Sequence, residues 1–222
     1  MMAGTITALR FQKRNQNRVN VYLDDQFAFG LAAIKAAHLR VGQTLSDDDI
    51  ARLQQQDQVE RSFERALNFL SYRPRSETEV RRNLRKTSVD DAVIEAVVER
   101  LTQAGLLNDL EFARYWVENR MQFKPRGAYA LRHELREKGV PASIIVAALK
   151  DFDEEAAARK AAEAGALRLA HLPSRDFRRK FQGYMARRGF SYALIEPLMV
   201  EMLEAAHCED LSDIESEEKC NE

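Results

Sequence analysis

Six apolar residues, Val80, Leu84, Val89, Ile94, Val98 and Leu101, reappear 51 positions on as Leu131, Leu135, Val140, Ile145, Leu149 and Phe152. A further step of 50 lands on Phe181, Met185, Phe190, Ile195, Met199 and Met202, again all apolar. Inside each set the spacing is i, i+4 and then i, i+4, i+7, which marks the core faces of two consecutive helices. The turn between those helices recurs as RKTSV, REKGV and ARRGF, with Gly139 and Gly189 matched where a helix end wants a left-handed residue. A period of ~50 residues is the mark of an array, in which one supersecondary unit is written several times.

A shorter string recurs within the period. YRPRSETEV, Tyr72 to Val80, is echoed by FKPRGAYAL, Phe123 to Leu131. Pro74 stands just ahead of Ser76, and Ser76 with Glu79 makes a capping box, the signature of a helix start. Pro125 holds the equivalent place in the second unit, where Gly127 replaces the capping serine. Asn108 with Glu111 predicts another box, opening a helix that carries Phe112, Tyr115 and Trp116. Each unit therefore has three helices: one before the Pro-Arg turn, one after it, and one after the RKTSV-type turn. The third unit departs from the pattern: HLPSRDFRRKF has Pro173 two places early and no Pro-Arg pair. Its matched core positions predict the same fold, but no special role of the Pro-Arg turn carries over.

The first forty residues are of another kind. TITALRF and RVNVYL are β-rich and separated by the polar QKRNQN, and DDQ leads into FAFG, so a hairpin or three-strand meander is expected. LAAIKAAHL reads as a short helix and VGQTL as a connector. Ser46 followed by Asp47, Asp48 and Asp49 is a helix start, a capping hydroxyl with carboxylates at the positive end of the helix dipole, in preference to a metal site. The fold class is thus mainly α, with tandem three-helix repeats preceded by a small N-terminal β-hairpin. The boundaries are 1–45 for the hairpin and short helix, then 46–108, 109–153 and 154–206 for the repeats. An acidic tail, 207–222, reads as disordered.

Charge is segregated along the chain. The 222 residues carry 34 Lys and Arg against 35 Asp and Glu, yet 17 basic against 12 acidic residues fall between Arg61 and Lys150. From His207 onward one lysine faces seven acids. A basic middle points to anionic partners. The two cysteines, Cys208 and Cys220, sit in the acidic tail with no CxxC or Cys/His cluster, a reduced, cytoplasmic pattern without a zinc site. No window approaches 18 apolar residues and no signal-peptide run opens the chain, so neither a membrane span nor export is expected. Scattered histidines and the lack of any nucleotide-loop, dinucleotide or nucleophile-elbow motif point away from catalysis, so no catalytic residue, metal or cofactor is expected.

The candidate binding residues are cations at repeated positions. Arg73 and Arg75 match Lys124 and Arg126, each pair flanking a proline that fixes the turn. The next helix of the second unit adds Arg132 and Arg136. The third unit is densest, with Arg175, Arg178, Arg179 and Lys180 followed by Arg187 and Arg188. Such a stripe can follow nucleic-acid phosphates or meet an acidic protein surface. For Arg73 and Lys124 pairing with neighbouring acids is an equal alternative; for the third-unit cluster binding is the favoured reading. Tyr72, Phe123, Tyr115 and Trp116 can stack on bases, but packing is favoured for them. Lys13, Arg14 and Arg18 mark an exposed hairpin tip and a weaker contact.

These strings resemble a known family. FLSYRPRSETEV, then AGLLNDLEFARYWVENR and the LRHELREKGV turn, are similar to the bacterial RecX regulatory proteins, and the likeness runs from RVNVYLDDQFAFGL to about Met202. The family's usual Lys-Gly turn is Thr87-Ser88 here, and the acidic tail has no counterpart in its common pattern. The resemblance implies an elongated, curved array without a catalytic site that regulates the RecA recombinase. It implies binding to the RecA nucleoprotein filament along its groove, and suppression of ATPase, strand exchange and co-protease activity. Recombination and the SOS response are thereby tempered. The implied partners are RecA and single-stranded DNA, with double-stranded DNA as a further option, and the implied state is a cytoplasmic monomer. The alternative is a DNA-binding transcription regulator, because paired helices joined by a glycine turn also describe helix-turn-helix units. A third reading is a scaffold that binds protein only.

Overall fold

The computed structural model describes residues 3–218, with side chains as far as residue 205. The acidic tail read as disordered, 207–222, falls outside the residues described in full. The chain divides into two compact units, Met1–Leu107 and Asn108–Glu222.

The first unit opens with strands β1 (Gly4–Gln12), β2 (Asn15–Leu23) and β3 (Gln26–Ala32), an antiparallel meander. Asp24 and Asp25 join β2 to β3 at φ 46° and 66°. Two positive φ values in a two-residue loop give the turn whose twist suits a hairpin, and aspartate tolerates that region. A short helix α1 (Ala33–Ala36) follows, about half the length that LAAIKAAHL suggested, because β3 pairing continues through Ala32. The stretch read as a connector contributes a fourth strand, β4 (Thr44–Leu45), paired with β1 in the order β3-β2-β1-β4. Two residues are too few to display a strand period, so that pairing was not visible in the sequence.

The sheet leans on helix α2 (Asp47–Ser71), as a small sheet must. Ser46 caps α2 in a full capping box with Asp49. Ile6, Val19, Val21, Leu23, Phe29, Leu31, Leu45 and Ile50 form one buried cluster between them. A buried ion pair pins the arrangement. Asp57 of α2 accepts from Arg18 Nη1 at 3.1 Å and Nη2 at 2.8 Å, and from the Ala32 amide at 2.9 Å. The exposed hairpin tip expected of Lys13, Arg14 and Arg18 holds for the first two, whereas the Arg18 side chain is 17 % exposed and committed to Asp57.

Helices α2, α3 (Glu77–Arg85) and α4 (Asp91–Gln103) make the first repeat. The second unit holds α5 (Asp109–Phe123), α6 (Ala128–Glu137) and α7 (Ala142–Ala148), then α8 (Glu154–Leu169), α9 (Ser174–Arg187) and α10 (Tyr192–Glu218). The matched apolar positions lie in the cores: Val80, Leu84, Ile94, Leu101, Leu131, Leu135, Ile145, Phe181, Met185 and Ile195 are all at most 2 % exposed. The recurring turn closes as the glycines predicted. Gly139 at φ 78° donates to Arg136 O at 2.8 Å while Val140 N reaches back to Leu135 O at 3.0 Å. Gly189 at φ 84° repeats the pair through Ala186 O at 2.9 Å and Met185 O at 3.4 Å. This is the Schellman closure, whose apolar residue after the glycine packs back on the helix. It accounts for Val89, Val140 and Phe190 recurring directly after the turn.

In the first repeat the same position is Ser88, at φ 51°. A side chain in the left-handed region costs about 1–2 kcal/mol, so Ser88 carries strain that its two counterparts avoid. Ser88→Gly is expected to stabilise the first unit by about 0.5–1 kcal/mol, after glycine's extra unfolded-state entropy is set against the relief; a urea midpoint that falls would show the turn to be unstrained. Asp57→Ala should destabilise that unit by about 2–3 kcal/mol, below the 3–5 typical of a fully buried pair because Arg18 can partly rehydrate. Thermal unfolding followed by circular dichroism checks it.

Candidate functional site

The Pro-Arg turn of the first repeat is occupied from within. Arg73 forks onto Glu79, Nη1 to Oε2 at 3.1 Å and Nη2 to Oε1 at 2.9 Å, and Nη1 also donates to Pro74 O at 2.8 Å. Glu79 is at the same time half of the capping box with Ser76. Arg75 lies over the Phe69 ring at 4.0 Å and points Nε at Phe69 O. Burial, then the neighbouring Arg73 guanidinium, lowers the Arg75 pKa from the ordinary arginine value, with Glu79 opposing. Next along, Arg81 is gripped by Glu95 and Glu77, which raises its pKa. These cations serve their own turn.

The second turn does something different. Arg126 is held by Glu134, Nε to Oε1 at 3.4 Å, and donates from Nη1 to Arg187 O at 3.2 Å. Glu134 also accepts from Trp116 Nε1 at 2.8 Å and Arg120 Nε at 2.7 Å. The Gly127 amide donates to Arg188 O at 2.9 Å, and the Ala128 amide to Glu154 Oε1 at 2.9 Å. A Cβ on Gly127 would stand 2.2 Å from Gly189 O, and one on Gly189 would stand 2.6 Å from the Ala130 Cβ. The Pro-Arg turn of the second repeat is therefore seated on the glycine turn of the third. That contact explains why the capping serine of the first repeat is a glycine here. Lys124 alone points away, exposed and without an ion-pair partner among the described residues.

The third repeat has no Pro-Arg turn. Pro173 is the N-cap of α9, so the helix starts four residues ahead of the position that Gly127 predicts. The added turn carries Arg175 and brings Phe177 into the core, stacked on Phe181 at 5.4 Å. Arg175, Arg178, Arg179, Lys180 and Arg187 are exposed. Arg179 bonds Asp176 at 3.0 Å; the other four have no ion pair among the described residues. Arg188 is half-buried over the Tyr184 ring at 4.2 Å. Arg132 and Arg136 on α6 are also exposed and unpaired among the described residues. An open groove of about 360 Å³ runs between α8 and α9, lined by Arg168, Arg179, Lys180 and Arg187 around Gly165, Gly183 and Tyr184.

Of the aromatics, only Trp116 is packed as expected. Tyr72 is 84 % exposed, Phe123 67 % and Tyr115 42 %, so the packing reading fails for them. Tyr72 and Phe123 sit at helix ends, where an apolar period says little about which side is covered, and Tyr115 lies mid-helix beside the packed Trp116. Among the described residues no group of three or more His, Cys, Asp or Glu is placed to hold a metal, and no helix is long and apolar enough to cross a membrane.

Comparison with known proteins decides the family. The first, second and third three-helix domains of RecX match residues 63–101, 108–149 and 153–199, and the RecX N-terminal domain matches residues 4–46. The regulatory protein RecX of Bacillus subtilis is 36 % identical over 210 residues, 92 % of this chain and 79 % of that protein. The chain belongs to the RecX family. Another relative, the RecX of Listeria monocytogenes, is 31 % identical over 68 % of this chain and 57 % of its own length. A crystal structure of regulatory protein RecX superposes with TM-score 0.69 at 28 % identity, covering 88 % of this chain and 98 % of that one. RecX from Lactobacillus salivarius gives TM-score 0.57 at 27 % identity, over 66 % and 97 %.

Within this RecX-family chain, sequence reasoning missed Arg168. It lies on α8, whose buried Ala157, Ala158, Ala161, Ala162 and Gly165 let α9 approach closely. Small residues at that spacing were the available signal, but nothing in one dimension pairs residue 168 with residue 180. The seating of the second turn is directly testable. Gly127→Ser would add a cap worth only about 0.3 kcal/mol over glycine, whereas forcing the 2.2 Å contact apart costs about 1–3 kcal/mol. The variant is expected to be less stable by about 1–2 kcal/mol in denaturant titration. A gain in stability would show that the repeats are not held through this contact.

Proposed function

We propose that the chain is a non-enzymatic regulator that binds the RecA–single-stranded-DNA filament and inhibits RecA ATPase, strand exchange and co-protease activity. Family membership supports the regulatory class, and the exposed, unpaired cations of α6 and α9 support an anionic partner. Arg132, Arg136, Arg175, Arg178, Lys180 and Arg187, with Lys124, are the contact residues in this reading. Arg73, Arg75, Arg126 and Arg188 hold turns, and Arg179 is shared with Asp176. The protein acts as a monomer in the cytoplasm. Inhibition follows from differential affinity: a protein that prefers one filament state shifts the population toward it without chemistry of its own.

The test is the rate of DNA-dependent ATP hydrolysis by RecA while this protein is titrated in below one per RecA protomer. Inhibition at that ratio is expected, because one bound regulator acts on a polymer. Full activity, together with sequence-selective shifts of duplex DNA, would replace the reading by a transcription regulator.

A further inference from the structure

We infer, resting on the filament-binding reading above, that the groove between α8 and α9 is a seat for the phosphodiester backbone of single-stranded nucleic acid. Three observations converge on it. Cations from two helices face one channel, Arg168 from α8 and Arg179, Lys180 and Arg187 from α9, and no carboxylate lines it among the described residues. The floor is kept low by Gly165 and Gly183: a Cβ on Gly165 would stand 2.8 Å from the Tyr184 ring, and one on Gly183 would stand 3.1 Å from an Arg187 Nη. The two helices are thus held close enough for cations of both to line one channel. The cations are also spread out. From Arg179 to Arg187 the helix rises about 12 Å, which suits a linear polyanion better than one compact anion.

The N-terminal half of α9 departs from what the helix dipole favours. The first turns of α2, α3, α5 and α8 carry carboxylates at two or three positions, as the helix dipole favours. The first turn of α9 has Arg175 beside a single Asp176, and Arg178, Arg179 and Lys180 follow directly. Only Arg179 has an intrahelical acid to offset it. A row of mutually repelling cations on one helix is unfavourable until a polyanion neutralises it, and counterion release then drives binding. The Tyr184 ring is covered by Arg188, so base stacking is not what the groove offers; phosphate is. Recognition is therefore expected to be indifferent to sequence.

The experiment pairs two double variants, Arg168→Gln with Lys180→Gln in the groove, and Arg114→Gln with Lys150→Gln on exposed positions elsewhere in the same unit. Fluorescence anisotropy of a labelled oligothymidylate is followed through a salt series without RecA, and RecA ATPase inhibition is measured alongside. The groove variant is expected to bind about tenfold more weakly and to lose about 1.4 from its log–log salt slope, two contacts at ~0.7 each for a single strand. The control pair should stay near wild type. Equal weakening in both pairs would mean diffuse charge and overturn the seat. Wild type that fails to bind the oligonucleotide, while the groove variant alone loses RecA inhibition, would assign the groove to an acidic protein surface and also overturn it. Groove-dependent oligonucleotide binding by a protein that leaves RecA unaffected would keep the seat and remove the filament-level function.

Discussion

A left-handed residue at the end of each repeat's second helix is the constraint on which the array depends. Ser88, Gly139 and Gly189 occupy one position of the period, all with positive φ. The reversal returns the chain so that the third helix packs on the second, and the apolar residue after it locks the closure. At Gly189 the same conformation has a second use. With no side chain in the way, the turn accepts Gly127 N and Arg126 Nη1 on the neighbouring carbonyls, so one reversal closes its own repeat and receives the previous one.

Cations divide by what stands within reach of them. Where a carboxylate is within reach, the guanidinium is drawn inward: Arg73 is hydrogen-bonded to the capping Glu79, and Arg126 is ion-paired with Glu134 while it donates to the Arg187 carbonyl. Fork geometry makes arginine effective in that role, satisfying carbonyls and carboxylates together. Where no acid is placed opposite, as along α6 and much of α9, the charges remain outward and mutually repelling. Such a surface is held in place by the apolar core beneath it and would gain from an anionic partner.

Much of the fold was legible in the residues. The 50-residue period, the core positions, the Ser46 cap, the Ser76 capping box and the glycine turns all follow from local rules, because helix faces, caps and reversals depend on residues within a few positions of one another. The site was legible only as a list of charges. Arg73 and Arg126 look alike in the sequence, yet one ends on its own cap and the other on the carbonyl of Arg187. Exposure of Tyr72 and Phe123 was likewise hidden, since they adjoin core positions along the chain.

The amino-acid order by itself determined that this chain is a helical array behind a small sheet and, through its quoted strings, which family it resembles. Tertiary structure alone decided which cations are spent on turns, why Gly127 cannot be the serine its counterpart is, and that Arg168 faces Lys180 across a groove. The reason is range. Secondary structure and turns are set by neighbours in sequence, whereas a cation's availability depends on carboxylates and carbonyls brought beside it from up to 61 residues away.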